Sequence, residues 1–327
     1  MKALYIEKPG EILWKEIPNR TKVNGEEVKV KVIYGGICGS DISVYQAKLP
    51  HASYPVIPGH EILGEIVEVG ENAKVKIGER VVIQPNSYCG ECEFCQKGKT
   101  NICPRKKSMG INVNGGFADE FILSSKYVIP VPEQLSNERA ILIEPLAVIV
   151  HALKKVQIDP ETSVAIVGCG TEGMLALALA SYRGGKITAI DVNPEKLNKV
   201  KEYYPEVSVK FPNEVTENQF DVTVEVAGVK ESFEQCIEIV KPGGSVVAVG
   251  FPHTAEIPVV KMVRKEISIF GSIIYNKTED FVESINYLMN EKFYVEPIIS
   301  EILPVHRYKE AYEKASSGKF RKILLKF

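Results

Sequence analysis

Residues 163–191 limit what this chain can fold into more sharply than any other stretch. SVAIVG is an apolar, β-branched run of the kind that makes a buried strand. It leads into Gly168-Cys169-Gly170-Thr171-Glu172-Gly173, a G-x-G-x-x-G array, and MLALALASYRG continues as a helix. KITAID then supplies a second strand that closes on Asp191, 18 residues beyond Gly173. Strand, glycine turn, helix, strand and acid in that order predict a doubly wound parallel sheet that binds a dinucleotide. Gly168 permits the tight turn, Gly170 lets backbone approach a pyrophosphate, and Gly173 lets helix and strand pack closely. The helix N-terminus favours the phosphate charge. Thr171, Glu172 and Lys196 complete the expected cofactor-binding set. Asp191 is placed to accept hydrogen bonds from ribose hydroxyls, and its charge would repel a 2′-phosphate, so NAD is expected over NADP.

The αβ rhythm runs on. FDVTVEVAG reads as a strand, KESFEQCIEIV as a helix, and Pro242-Gly243-Gly244 as a turn into the strand SVVAVG. Helices are expected at about 277–293 and 305–317, before the closing basic strand RKILLKF. Residues 1–85 differ: VKVKVIYGG, EILGEIVEVG and VKIGERVVIQP are short strands punctuated by glycine, which predicts a β-rich, barrel-like domain. At 327 residues the chain is long enough for two domains. The economical layout returns the last segments to the β-rich part: 1–138 and 276–327 form one domain, with a lobe at 86–106, and 139–275 form an inserted nucleotide domain.

Two groups of residues suggest metal. SYCGECEFCQKGKTNICP carries Cys89, Cys92, Cys95 and Cys103, and four thiolates so close together can fill every position around one tetrahedral zinc. An iron–sulfur cluster can use closely spaced cysteines too. The seven cysteines are an odd number and four of them cluster, so metal in a reducing compartment is favoured over bridges. Cys169 and Cys236 read as core thiols. The second group is GICGSDISVYQAKLPHASYPVIPGHE, where Cys38 and His60 bring a thiolate and an imidazole from two loops. Glu144 lies inside the apolar helix that opens at Ser136-Asn137-Glu138. A buried carboxylate there is either paired with a hidden cation or is a third ligand of the Cys38–His60 ion.

With these residues in hand, the chain resembles the zinc-dependent medium-chain alcohol and polyol dehydrogenases nearly end to end. The family's G-H-E-x-x-G-x5-G signature is matched by Gly59, His60, Glu61, Gly64 and Gly70, and the four-cysteine lobe, the glycine fingerprint and Asp191 follow in the family's order. The resemblance implies a GroES-like catalytic domain beside a Rossmann domain, with catalytic zinc on Cys38 and His60, joined by Glu61 or Glu144, and structural zinc on the lobe. It implies that Asp41 orients the His60 ring. Glu144-Pro145 is similar to the sorbitol and threonine dehydrogenase branch. Ser43 stands where many relatives carry a proton-passing histidine, and Ile274-Tyr275 replaces an Arg-Tyr pair of sorbitol dehydrogenases.

The expected reaction is oxidation of a secondary alcohol, a polyol or sugar alcohol, to a ketone, with hydride passing to NAD and Ser40 as the first proton acceptor or relay. L-threonine or aldose oxidation is the alternative within enzymes, and a nucleotide sensor without catalysis is the alternative outside them. A formal charge of −2 gives no electrostatic case for nucleic acid or an acidic membrane surface. The first residues lack the apolar core of a secretory signal, and the apolar run from Ala140 to Leu153 is too short to span a bilayer. A cytoplasmic protein is expected. The edge strand EISIFGSI and the family likeness both point to a homo-oligomer, a dimer or a homotetramer.

Overall fold

The computed structural model describes residues 1–18 and 20–327, with the Lys277 side chain left undescribed. The chain forms two compact units: Met1–Glu144 with Asn276–Met289 and Ile299–Phe327, and Pro145–Tyr275 with Asn290–Ile298.

The first unit is built on a seven-stranded sheet. Its central strand, Glu27–Ile37, alternates buried Val28, Val30 and Val32 with more exposed neighbours, which is the period of a sheet with one face in a core. That strand pairs antiparallel with Glu61–Val69 along one side. Along the other it pairs with Glu120–Ser124 at its start and Lys322–Lys326 at its end. The last strand of the chain therefore lies beside the strand that ends at Ile37. Phe117, Phe121, Ile62, Ile66, Ile323 and Leu325 fill the core beneath.

The second unit is a six-stranded, all-parallel sheet. From one edge the strands are Ser208–Lys210, Lys186–Ile190, Ser163–Val167, Phe220–Glu225, Val240–Ala248 and Ser268–Gly271. In chain order this is 3-2-1-4-5-6, the doubly wound arrangement expected from the glycine fingerprint. Three strands are pinned at their entry ends by one polar cluster. Lys241 Nζ lies 2.8 and 3.0 Å from the two Asp221 oxygens, and Asp221 accepts from the N–H (2.9 Å) and the hydroxyl of Ser163. Partial burial pushes the Asp221 carboxyl up, but the Lys241 and Ser163 hydrogen bonds outweigh it and bring it down to about 2. A carboxyl held below its unfolded value contributes stability that is present above about pH 4 and lost as pH falls toward 2. Asp221 and Lys241 are each about two-fifths exposed, so solvent screening keeps the contribution near 1 kcal/mol. Asp221→Asn is expected to lower the thermal midpoint by a few degrees at pH 7, with the gap narrowing below about pH 4. A gap of constant size down to pH 3 would contradict this account.

Several boundaries differ from the sequence reading. The helix expected to run unbroken from Ser136 forms as two pieces, Asn137–Ala140, capped by the Ser136 hydroxyl on the Arg139 N–H, and Ile143–Leu153. Pro145 is the reason: its ring meets the carbonyl of Ile141 in a continuous helix, and it has no N–H to donate. The division between units falls at 144/145 rather than 138/139. Residues 290–298 group with the nucleotide unit instead of the β-rich one, because Phe293 packs edge-on against Tyr182 and the Tyr294 carbonyl accepts from Tyr204. Pro242-Gly243-Gly244 is not a turn ahead of the strand. It lies within Val240–Ala248, where the pairing register shifts and Gly243, at φ +74°, donates to the Lys265 carbonyl. The expected helix 277–293 stops at Met289, and 305–317 is a 3-10 turn followed by the α-helix Tyr308–Ser316.

Candidate metal centres and cofactor site

Cys38 ends the turn after Glu27–Ile37 and caps the short helix Gly39–Tyr45. His60 precedes Glu61–Val69, on a turn that Gly59 makes at φ +93°. The pairing of those two strands brings both turns to the same end of the sheet. Ligand atoms of Cys38, His60 and Glu61 consequently all lie within 4.8 Å of one another. Glu144 is buried in the first turn of Ile143–Leu153 and stands outside that trio.

Asp41 ties the trio together. It is fully buried, and it accepts from the Cys38 N–H at 2.9 Å with one oxygen and from the Gly59 N–H at 3.0 Å with the other. His60 Nδ1 is 3.4 Å from Asp41, within ion-pair range but not aligned as a hydrogen bond. His60 Nε2 faces the other way, toward the Ser40 hydroxyl at 3.3 Å. Burial disfavours a charged ring, but Asp41 and the Cys38 sulfur outweigh it and raise the His60 pKa well above the usual value. The lone pair that draws a proton there is the one that a metal ion needs. Ser43, by contrast, spends its hydroxyl on the Gly39 carbonyl at 2.9 Å.

Sequence reasoning missed Lys322. Its ammonium donates to Glu61 at 2.5 Å and to the Ile37 carbonyl at 3.4 Å, and both side chains are 1% exposed. Its sequence signal is slight, a lysine at the head of the apolar run Ile323-Leu324-Leu325 in the closing strand. Glu61 keeps its second oxygen buried and without a hydrogen bond among the described residues. Gly36 makes room for that oxygen: a Cβ there would sit 2.2 Å from it. A thiolate, an imidazole and a carboxylate with a spare buried oxygen are a donor set that fits zinc and leaves a position open.

The four-cysteine lobe is compact. Sulfur separations are 3.6 Å for Cys103–Cys89, 3.9 Å for Cys89–Cys95 and 4.0 Å for Cys92–Cys103. Thiolates about 2.3 Å from a tetrahedral zinc stand about 3.8 Å apart, so the lobe has the size of a closed zinc site and none of its thiols is bridged. The backbone N–H groups of Cys89, Cys92 and Cys95 point at sulfurs of Cys103, Cys89 and Cys92 at 3.4–3.5 Å. Among themselves the thiols cannot all ionise. The N–H groups of Glu91 and Cys92 bring Cys89 down to about 6, while burial and neighbouring sulfurs leave Cys95 up at about 12.

In the nucleotide unit, Gly168 takes φ +108°. A Cβ on Gly173 would lie 1.8 Å from the Gly168 carbonyl oxygen, so helix Thr171–Tyr182 can cross there only over glycine. A Cβ on Gly170 would meet nothing within 4 Å, which leaves that face open to a ligand. Asp191 accepts from the Cys169 N–H at 2.7 Å and the Asn193 N–H at 2.9 Å, with Lys196 Nζ 3.7 Å away. Thr171 and Glu172 form the first turn of the helix. Cys169 and Cys236 are buried, and burial pushes both thiols up, Cys169 to about 12.

The alcohol dehydrogenase GroES-like domain matches residues 24–133, and the zinc-binding dehydrogenase domain matches residues 173–290. D-arabinitol dehydrogenase 1 of Uromyces fabae is 30% identical, over 100% of this chain and 97% of its own. The sorbitol dehydrogenase of Halalkalibacterium halodurans is 32% identical over 91% of each. The chain belongs to the zinc-dependent medium-chain alcohol dehydrogenase family. Among solved structures, the 2R,3R-butanediol dehydrogenase of Bacillus subtilis superposes with a TM-score of 0.90 at 25% identity, over 100% of this chain and 99% of that one. The fold is GroES-like plus Rossmann, and the chain is a zinc- and NAD-dependent oxidoreductase of this family. No helix among the described residues is long and apolar enough to cross a membrane.

Proposed function

We propose that the chain oxidises a secondary hydroxyl of a polyol or sugar alcohol to a ketone, and that Cys38, His60 and Glu61 hold the catalytic zinc. The observation that carries this is the convergence of those three ligands beside the Ser40 hydroxyl. Zinc, when bound, supplies a Lewis acid that favours loss of the alcohol proton, and NAD supplies the hydride acceptor. Ser40 relays the substrate proton, accepting it at Oγ as its own hydroxyl proton passes on to solvent, while Asp41 holds the His60 ring and the Cys38 turn and Lys322 holds Glu61. Glu144 stays in reserve as an alternative carboxylate ligand. Arabinitol, sorbitol and 2R,3R-butanediol, named in the relatives, all carry adjacent hydroxyls, and this supports the substrate class. Cys89, Cys92, Cys95 and Cys103 hold a second, structural zinc, and Asp191 favours NAD over NADP.

Metal analysis is expected to give two zinc per chain, and a panel of polyols, sugars and hydroxy amino acids with NAD and NADP is expected to give turnover on polyols with NAD. Turnover confined to threonine or aldoses would redirect the substrate, and one zinc per chain would remove the catalytic site. We also read the chain as a homo-oligomer: Ser268–Gly271 ends the sheet, and exposed Val259, Val260 and Val263 lie on the helix before it. A two-fold copy pairing there gives a dimer, and dimers pair into the tetramer; sedimentation at the mass of one chain would overturn this. The seven unbridged thiols suit the cytoplasm, which fractionation tests.

A further inference from the structure

Helix Tyr308–Ser316 lies against helix Gly39–Tyr45. The contact is made by Tyr312, whose ring meets the Tyr45 ring edge-on, with centroids 5.6 Å apart. Tyr312 is 3% exposed, yet its hydroxyl makes no hydrogen bond among the described residues. A buried phenol left so costs about 1–3 kcal/mol, where phenylalanine would fill the same space at no such cost. Such a group calls for a role.

Its surroundings point to one. Asp41 and Tyr45 are four residues apart on one helix and so share a face, the face that Tyr312 covers. Asp41 is the fully buried carboxylate that joins the Cys38 and His60 turns. Burial first, and then the Asp41 charge, push the Tyr312 phenol well above its ordinary range, so the hydroxyl stays a donor. We propose that Tyr312 is a positioning residue for the metal centre: it closes the Asp41–Tyr45 face of helix Gly39–Tyr45, and its buried hydroxyl dipole holds the carboxylate that orients His60. The inference rests on the reading of Cys38, His60 and Glu61 as a zinc centre. It concerns how the imidazole is aimed, in a part of the chain 252 residues distant from it in sequence (312 − 60).

The test uses the zinc-loaded full chain and a chromophoric chelator, with Tyr312→Phe beside wild type. Phenylalanine keeps the ring packing, so the unfolding midpoint should fall by no more than the looser ion accounts for, while one of the two ions is bound about tenfold more weakly and the other is unchanged. Cobalt substitution identifies the unchanged ion as the four-thiolate one by its charge-transfer absorption. Tyr312→Leu, which also removes the ring, should lower the unfolding midpoint as well. Two ions bound by Tyr312→Phe as tightly as by wild type overturn the proposal, and so does equal loosening of both. A wild-type chain that carries only the lobe ion overturns the zinc-centre reading and this inference together.

Discussion

Replacing His60 by alanine is expected to remove one of two zinc ions and to lower kcat/KM by about a thousandfold or more. The reasoning starts from geometry. The three ligand types come from two turns, and only His60 offers a neutral nitrogen to the shared point. Without it, Cys38 and Glu61 remain, and two ligands do not hold zinc in a catalytic geometry. A Lewis acid at the reacting oxygen contributes several kcal/mol, and 4 kcal/mol corresponds to about three orders of magnitude in rate. Zinc content and turnover on the best substrate of the panel measure the two effects, while the midpoint of thermal unfolding shows that the fold survives. An alanine variant that keeps two zinc ions, or that turns over at more than a tenth of the wild-type rate, would remove His60 from the centre.

The second large effect is expected at Lys322. Lys322→Met leaves Glu61 in place, 1% exposed, with its cation gone. Breaking a buried ion pair from one side costs about 3–5 kcal/mol in the zinc-free chain, where the remaining charge has neither water nor partner. The double variant Lys322→Met, Glu61→Leu removes both charges and should regain most of that loss, since burying a matched pair contributes little net stability against a well-packed apolar pair. The comparison separates stability from function. Lys322→Met should lower the unfolding midpoint strongly, whereas the double variant should be stable and still lack the third zinc ligand. A Lys322→Met chain as stable as wild type would show that Glu61 is neutral or has another partner. Gly36 belongs to the same argument, as any larger residue there would displace the Glu61 carboxylate from its place beside Lys322.

The parts of the site legible in the sequence share one property: their geometry is local. Gly168, Gly170 and Gly173 lie on one turn and the helix it opens, and Cys89, Cys92, Cys95 and Cys103 lie on one short lobe. Spacing alone constrains where their backbone and sulfur atoms can go. Asp191 is nearly as local, because one helix and one strand separate it from the glycine loop, and that strand pairs directly with Ser163–Val167. Cys38 and His60 were legible for a different reason, as a signature whose residues match a family order, and their meeting depends on how Glu27–Ile37 and Glu61–Val69 pair.

What stayed hidden is what the sheet and the helix contacts bring together across long stretches of chain. Lys322 reaches Glu61 across 261 residues because the last strand lies beside the end of Glu27–Ile37. Tyr312 covers the Asp41 face because helix Tyr308–Ser316 packs on Gly39–Tyr45. No periodicity marks either pairing, since a lysine in an apolar strand and a tyrosine in an amphipathic helix each have ordinary explanations. The sequence by itself determined the dinucleotide fold, the metal-binding lobe and the donor types, because those follow from backbone conformations and spacings within a few turns. Only the tertiary structure brought Glu61 within 4.8 Å of Cys38 and His60 and set Lys322 beside it, because burying a charge is settled by whichever distant partner the fold brings within reach.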